Sequence, residues 1–332
     1  MRNLIVISND KLFFFKRGIS SKFNDTLNIL DALQKKFKIF LISRKAFTLD
    51  NFTLKKSNIY KFSFKNFSLL RKKKINIFII SVTPFNILYY LLLNLLYGKI
   101  NGFIYLRSDG YKEYKIKFGI FGSIFFSFMM KIVEKNLKVI SVHKNIKTNK
   151  RNYLITPSEL DQKWFKKIKL TKLDFPRLLY LGRFKKEKGV YSLIELFQNS
   201  KFKFKLTIAG GEANLSKKAK NIYFIKELSD QRKIINLYDN HNIFILPSYT
   251  EGSPKVILES LIRKKPIIVF EDIKHVKSNF KGIFISKRDP INLKRTINRI
   301  LKNYSKIQKE MNKNMLTTKK DFQKKLINIV NE

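Results

Sequence analysis

The 332-residue sequence contains no cysteine, which excludes disulfide bonds, a thiol nucleophile and every cysteine-ligated metal site. Histidine is nearly as scarce, and the three residues are too scattered to form a recognisable zinc motif. The apolar run within the first ten residues, MRNLIVISND, has the length of a strand, so we expect no signal peptide. These features predict a cytoplasmic protein without structural metal.

Acidic residues are few as well. The chain has 69 lysines and arginines against 24 aspartates and glutamates, a formal net charge of +45. Lysine is abundant together with asparagine, isoleucine and phenylalanine, as in chains encoded by AT-rich genomes, so most lysines are expected to be solvated surface residues. A field this positive still attracts anions over long distances. Nucleotides, anionic lipids and nucleic acid are therefore the candidate partners.

The length suffices for two α/β domains with cores of their own. Between Leu178 and Glu259, apolar runs alternate with amphipathic runs, which is typical of parallel strands joined by crossover helices. Ligands of such sheets gather at the carboxyl ends of the strands. Polar or glycine-rich segments follow three of these runs, at Gly182-Arg183, at Gly210-Gly211 and at 251–254.

The segment Glu251-Gly252-Ser253-Pro254 predicts the start of a helix that can bind an anion. Pro254 suits the first helical position and Ser253 the N-cap, and the free N–H groups of a helix N-terminus attract negative charge. Gly252 lets a ligand approach the backbone. Glu251 before the helix and Glu259 in its second turn offer carboxylates that accept hydrogen bonds from hydroxyl groups.

Two cations, Arg183 and Lys188, follow an earlier predicted strand and can bind phosphate. Taken singly, each of these cations can be explained as a solvated surface group. Gly210-Gly211 can likewise be explained as a simple turn. A glutamate near a helix N-terminus, such as Glu251, usually just complements the helix dipole. Together, in this order and at strand ends, the residues indicate a sugar nucleotide, with its phosphates on the cations and its hydroxyls on the carboxylates.

At these residues the chain resembles the retaining glycosyltransferases of family 4. The matching segments are GRFKKEKGV, IAGGE, LYDNHNIFILPSYTEGSPKVILES and KKPIIVF, with the family's spacing from Glu251 to Glu259. The resemblance is strong over about residues 178–270. It implies the GT-B fold, an α/β architecture of two Rossmann-like domains facing a cleft, with a C-terminal helix that returns to the N-terminal domain.

The resemblance also implies roles for single residues. Arg183 and Lys188 would hold the donor diphosphate, Glu251 would touch the transferred sugar, and Glu259 would bind the ribose hydroxyls. Arg183, Lys188 and Glu251 are the implied catalytic residues, and no metal or other cofactor is expected beside the nucleotide-sugar co-substrate. The implied donor-binding residues are Gly182, Gly210, Gly252, Ser253, Pro254 and Glu259.

We place the N-terminal acceptor domain at residues 1–170 and the donor domain, with the terminal helix, at 171–332. Arg107, Asp109 and His143 follow predicted strands of the first domain and are candidate acceptor contacts. Asp109-Gly110 has an equal claim to be a simple turn, and a histidine at this position is more often structural. Strands of this domain are predicted at Asn3–Ser8, Lys38–Ser43, Asn76–Val82, Gly102–Leu106 and Val139–Val142.

Two apolar stretches, 85–97 and 118–133, stand out in the first domain. Packing inside the domain is favoured for both, and a membrane-facing position is the open alternative. Each is judged too short to span a bilayer, which takes about 20 residues. Because basic or polar residues border both stretches, we predict peripheral contact with anionic membranes, at the inner face of the cytoplasmic membrane and without a spanning helix.

The sequence thus favours a glycosyltransferase that moves a sugar from a nucleotide-sugar donor to a saccharide or lipid-linked acceptor. Retention of anomeric configuration and a role in cell-surface polysaccharide or lipopolysaccharide synthesis follow from the resemblance. Two other classes stay open: a basic nucleic-acid-binding protein and a non-catalytic membrane-associated scaffold. A nucleic-acid-binding protein would need aromatic platforms interleaved with basic residues. The sequence shows no such motif, so no specific nucleic acid is expected.

Overall fold

The computed structural model of the chain describes all residues except 64–74, 143–145, 147, 149–151, 169–175, 201 and 212–220. The chain divides into two compact units, one of residues 1–159 with 319–332 and one of residues 160–318. His143, a candidate acceptor contact, lies outside the described residues.

The division between the units comes about ten residues before the boundary that we placed at residue 170. Leu160 and Trp164 are buried in the core of the second unit. Arg263, also in that unit, donates hydrogen bonds of 2.9 Å to the backbone carbonyl groups of Trp164, Lys166 and Lys167. The segment that follows residue 159 therefore belongs to the second unit by packing and by hydrogen bonding.

A largely parallel sheet forms the centre of the first unit. Its strands are β1 (Arg2–Phe15), β2 (Gly18–Ser21), β3 (Phe37–Lys45), β4 (Phe52–Lys55), β5 (Ile59–Lys61), β6 (Asn76–Ile80), β7 (Asn101–Leu106), β8 (Leu137–Ser141) and β9 (Asn152–Leu154). The parallel strands lie in the order β5-β3-β1-β6-β7-β8-β9, so the strand order reverses between β1 and β6. The end of β1 pairs antiparallel with β2.

The helices of this unit are α1 (Asn24–Leu33), α2 (Pro84–Tyr97), α3 (Gly110–Glu134) and, after the second unit, α10 (Lys319–Asn331). Phe322 and Leu326 of α10 are buried in the first core. Gln323 of α10 donates to Asn28 and Asp31 of α1, at 3.0 and 2.8 Å. The predicted return of the C-terminal helix to the N-terminal domain is confirmed.

The second unit contains β10 (Arg177–Leu181), β11 (Lys205–Ala209), β12 (Ile222–Ile225), β13 (Ile243–Leu246), β14 (Ile267–Phe270) and β15 (Ile283–Ser286). All are parallel, in the order β12-β11-β10-β13-β14-β15. This is the strand order of a Rossmann fold, in which the order reverses between the first and the fourth strand. The strands are apolar along their length because helices cover both faces of a parallel sheet.

The helices of the second unit are α4 (Gln162–Phe165), α5 (Val190–Gln198), α6 (Gln231–Asp239), α7 (Lys255–Ile262), α8 (Pro290–Lys302) and α9 (Tyr304–Met311). Asp289 caps α8, accepting a hydrogen bond from the Asn292 N–H at 2.8 Å. Helix α7 begins one residue later than expected. Pro254, in extended backbone, holds the N-cap position without a capping side chain, so the assignment of Ser253 as N-cap is wrong.

The expectation that both apolar stretches pack inside the domain is also wrong in part. Helix α2 buries Ile87, Tyr90 and Leu93 but exposes another row of leucines. Within α3, only 28% of the most apolar 18-residue window is buried. In the described residues, α3 is the one helix long and apolar enough to cross a membrane by length and composition, and the apolar stretch at 118–133 is only part of it.

Candidate functional site

The predicted donor residues gather at the point where the strand order of the second unit reverses. Gly182 and Arg183 directly follow β10, and the segment from Pro247 to Glu251 follows the neighbouring strand β13. Crevices at this point bind ligands in open α/β sheets because the two loops diverge to opposite sides. Helix α7, whose N-terminal N–H groups attract anions, begins at Lys255, four residues after Glu251.

Lys188 and Glu251 form an ion pair within this site. Lys188 Nζ lies 2.7 Å from Glu251 Oε1, and Ser248 Oγ donates to the same oxygen at 2.7 Å. The Glu251 side chain is almost fully buried, so the pair exchanges solvent for two strong hydrogen bonds. Since an ammonium group has three donors, Lys188 can bind an anion while it keeps Glu251 in place.

Two glycines allow the loops of the site to approach one another. Gly189, directly after Lys188, has a left-handed backbone with φ 64°, and a Cβ there would lie 1.9 Å from the Pro247 carbonyl oxygen. Gly210, with φ 111°, approaches Gly182 so closely that a Cβ would lie 2.5 Å from its carbonyl oxygen. Both positions require glycine. The glycines of GRFKKEKGV and IAGGE thus serve the close packing of the loops.

Glu259 lies in the second turn of α7 and is held by a tyrosine of α6. The Tyr238 hydroxyl lies 3.0 Å from Glu259 Oε2. Burial raises the pKa of Tyr238 well above its usual value, and the Glu259 carboxylate raises it further. Tyr238 therefore stays protonated and donates to the Glu259 carboxylate.

Arg183 is exposed to solvent, and a hydrogen bond from Tyr180 holds its backbone in place. The Tyr180 hydroxyl donates to the Arg183 carbonyl oxygen at 3.0 Å. Burial raises the pKa of Tyr180, the Glu251 carboxylate raises it further, and the positive charge of Arg183 opposes the rise. The Tyr180 phenol group therefore interacts electrostatically with both Arg183 and Glu251.

Arg288, which follows β15, was missed in the sequence. Its Nη1 donates to the Pro247 carbonyl oxygen at 2.9 Å and to Ser192 Oγ at 3.0 Å, and Ser192 donates to the Gly189 carbonyl oxygen at 2.9 Å. The guanidinium carbon lies 4.3 Å from the ring centroid of Tyr249. Arg288 thereby ties the loop that carries Glu251 to the turn that carries Lys188. The only local signal was an arginine after a strand end, as at Arg183.

A second polar cluster lies at the carboxyl ends of strands in the first unit, around Arg107. Its guanidinium binds Asp10 through two hydrogen bonds of 3.1 and 3.4 Å, lies 3.6 Å from Asp25 and donates to Ser81 at 2.9 Å. Asp10 lies at a register shift of β1 against β3, where a bulge re-aims the side chain, and Thr26 also donates to it. Both aspartates were missed, because their pairing with Arg107 spans up to 97 positions.

Asp109, the neighbouring candidate, has a structural role. It is buried and caps helix α3, accepting a hydrogen bond from the Lys112 N–H at 3.3 Å. Of the three predicted acceptor residues, the structure therefore places Arg107 in a polar cluster and Asp109 at a helix end.

Residues 161–317 match the family model of glycosyl transferases group 1, which supports the resemblance to a glycosyltransferase family over almost all of the second unit. Among curated relatives, CapM of Staphylococcus aureus, a capsular polysaccharide biosynthesis glycosyltransferase, is 29% identical over 126 residues, which is 33% of this chain and 32% of CapM. The chain matches its first curated relatives over less than half of their own length.

Solved structures show that the fold extends over the whole chain. HepE of Anabaena in complex with UDP-glucose superposes with a TM-score of 0.69 at 11% identity, covering 100% of both chains. WaaG, a glycosyltransferase involved in lipopolysaccharide biosynthesis, gives a TM-score of 0.63 at 11% identity, covering 98% of this chain and 99% of WaaG. The chain therefore has the GT-B fold, with two Rossmann-like domains as predicted.

Proposed function

We propose that the protein is a glycosyltransferase that uses a nucleotide sugar as donor and transfers the sugar with retention of anomeric configuration. The observation that carries this proposal is the ion pair of Lys188 and Glu251 at the reversal point of the second sheet, with Arg183 directly after β10 and Glu259 in the second turn of α7. Two cations, two carboxylates and a helix N-terminus match the phosphates and hydroxyls of such a donor. The match of residues 161–317 to glycosyl transferases group 1 supports it.

In the proposed reaction, the bond between the anomeric carbon and the diphosphate oxygen breaks as an acceptor hydroxyl group attacks that carbon from the same face, and the hydroxyl proton passes to the departing diphosphate. Negative charge develops on the departing diphosphate. Lys188, Arg183 and the N-terminus of α7 would stabilise it, which is the electrostatic contribution that usually dominates such catalysis. With this positive charge in place, the proposal requires no metal ion. Glu251, fixed by Lys188 and Ser248, would orient the sugar, and Glu259 would hold the ribose.

We further propose that the acceptor is a saccharide or a lipid-linked saccharide of the cell surface, used on the cytoplasmic side of the membrane. The names of CapM and WaaG, which refer to capsular polysaccharide and lipopolysaccharide, support this substrate class. In the first unit, the cluster of Arg107, Asp10 and Asp25 would bind the acceptor. Its carboxylates accept hydrogen bonds from hydroxyl groups, and its guanidinium can donate to an acceptor phosphate.

A panel of nucleotide sugars and nucleoside diphosphates, screened by thermal unfolding, tests the donor. A ligand present at 100 times its dissociation constant should add about 2.7 kcal/mol of stability. The stabilising donor, incubated with candidate acceptors, should then give a product whose anomeric configuration is read by NMR. Stabilisation by polynucleotides alone, with a steep salt dependence, would instead support a nucleic-acid-binding protein and contradict the proposal.

A further inference from the structure

Helices α2 (Pro84–Tyr97) and α3 (Gly110–Glu134) of the first unit present a large apolar surface to solvent, which we call the α2/α3 face. The two helices contact each other. Leu95 and Phe121 are the most exposed side chains of the face, at 82% and 81%. The face comprises Leu88, Leu91, Leu92, Leu95 and Leu96 of α2, and Phe118, Ile120, Phe121, Ile124, Phe125 and Phe128 of α3.

The spacing shows that this surface is a second apolar stripe on helices whose first stripe already packs in the core. On α2, Ile87, Tyr90 and Leu93 are buried, whereas the exposed leucines recur three or four residues apart on another side. On α3, Phe126 and Met130 are buried while Phe121 and Phe128 are exposed. A helix that only covers a core needs one stripe. A contiguous exposed patch of this kind marks an interaction surface.

Charge around the face is mostly positive, although Glu113 pairs with Lys117 at 3.8 Å at one end of the apolar row of α3. Between Pro84 and Ser108, and again between Tyr114 and Val133, the sequence contains no acidic residue. Exposed lysines stand at both ends of the apolar row of α3 and in the turn after α2, at Lys99, Lys115, Lys117, Lys131 and Lys135. Each basic residue near an anionic membrane surface contributes about 1 kcal/mol of attraction.

The geometry of α3 favours lying on a membrane over crossing it. Gly119 has non-helical backbone angles (φ 66°, ψ −155°) and divides α3 into two segments. The apolar segment after it, residues 120–134, would extend about 22 Å at 1.5 Å per residue. The hydrocarbon core of a bilayer is about 30 Å thick. In addition, the buried side of this segment is part of the first core.

We propose that the α2/α3 face inserts into the headgroup region of an anionic bilayer and holds the protein at the membrane surface as a monotopic anchor. The apolar stripes would enter the boundary between headgroups and acyl chains, and the flanking lysines would contact anionic headgroups. A second copy of the chain fits less well. A two-fold symmetric interface brings identical patches together, so it would place the two lysine borders against each other. The proposal does not depend on the proposed catalytic activity.

Co-sedimentation with vesicles tests the anchor. The chain should bind vesicles of phosphatidylglycerol and phosphatidylcholine at low salt and should bind pure phosphatidylcholine vesicles at least ten-fold more weakly. Leu95→Gln combined with Phe121→Gln should weaken binding to anionic vesicles about ten-fold or more. The double variant loses two apolar side chains that the proposal buries in the lipid. Lys115→Gln combined with Lys131→Gln should weaken binding and reduce its dependence on salt.

The matched control is Ile291→Gln combined with Met315→Gln, which removes two exposed apolar side chains from the second unit and should leave vesicle binding unchanged. Because all four apolar positions are exposed, both double variants should unfold at the temperature of the wild type. Absence of binding to anionic vesicles at low salt would overturn the proposal. So would self-association that Leu95→Gln and Phe121→Gln abolish while vesicle binding persists, since the face would then contact a second copy.

Discussion

Lys188 Nζ lies 2.7 Å from Glu251 Oε1, although 63 positions separate the two residues in the sequence. The contact joins the turn after β10 to the loop after β13, and Arg288 braces the same two segments from the side of β15. The residues predicted to bind the diphosphate and the sugar are therefore coupled. Substitution of one should alter the position of the others.

Replacing Lys188 or Arg183 with alanine should weaken the binding of nucleoside diphosphates. Loss of one charged hydrogen-bond partner costs roughly 1.5–3 kcal/mol, or about 10- to 150-fold in affinity. Lys186→Ala is the matched control, since Lys186 is an exposed lysine of the same turn as Lys188 and should have no effect. Isothermal titration calorimetry measures the affinities. Unchanged affinity in both the Lys188 and the Arg183 variant would contradict the assignment.

The two carboxylates should have separable roles. Glu251→Gln is expected to lower kcat more than nucleotide affinity, because Glu251 lies at the mouth of α7 and would contact the transferred sugar. Glu259→Gln should lower nucleotide affinity more than kcat. Steady-state kinetics with the identified donor and acceptor, together with direct nucleotide titration, separate the two effects. Equal losses in both parameters for both variants would show that the roles are not distinct.

Tyr238→Phe should weaken nucleotide binding by releasing Glu259 from its 3.0 Å hydrogen bond. One such bond to a charged group contributes about 1.5–3 kcal/mol. Tyr304→Phe provides the control, because Tyr304 is also buried and donates to a backbone carbonyl group, that of Asn242, at 2.7 Å. Both variants should lose stability in urea, but only the Tyr238 variant should lose nucleotide affinity. Equal nucleotide affinity in the two would mean that Tyr238 serves the fold alone.

Arg288→Lys should raise KM for the donor and lower kcat, although Arg288 carries neither predicted role. A lysine keeps the charge but cannot bind the Pro247 carbonyl group, Ser192 and Asp272 at once. Arg295→Lys, an exposed arginine of α8, is the control and should behave as the wild type. If Arg288→Lys changed only the unfolding temperature and left KM and kcat intact, the residue would not position the site.

Because of Lys265, the free energy of unfolding of the second unit should increase as the pH rises into the alkaline range. Lys265 is buried, and desolvation lowers the pKa of its ammonium group from 10.5 to about 8, although Asp239 opposes the shift. Between about pH 8 and 10 the unfolded chain therefore binds more protons than the folded chain, so stability increases with pH in this window. Below pH 8, burying the charged lysine costs stability.

Lys265→Met should remove this dependence on pH. The variant is expected to be at least as stable as the wild type at pH 7, and the difference should shrink as the pH approaches 10. Urea unfolding at pH 7, 8.5 and 10 measures both free energies of unfolding. Parallel profiles for the wild type and the variant would contradict the depressed pKa.

Local patterns predicted most of the secondary structure because each element carries its own signal. The buried strand β10 was expected from one of the apolar runs between Leu178 and Glu259. The return of α10 to the first unit came from the resemblance and not from any local pattern. The bounds of α7 were missed by one residue, because Ser253 and Pro254 both suit a helix start and only the backbone angles decide between them.

The order of the motifs along the sequence determined that phosphate-binding cations and hydroxyl-binding carboxylates belong to one sheet edge, since the carboxyl ends of parallel strands share an edge. Tertiary structure alone decided which residues meet there. Neither the contact of Arg288 with Pro247 nor that of Asp10 with Arg107 has a local signal, because each depends on strand order and register. The tertiary structure also decided that α2 and α3 each pack only one of their apolar sides against the first core. A run that is apolar all round does not specify which side the core will cover.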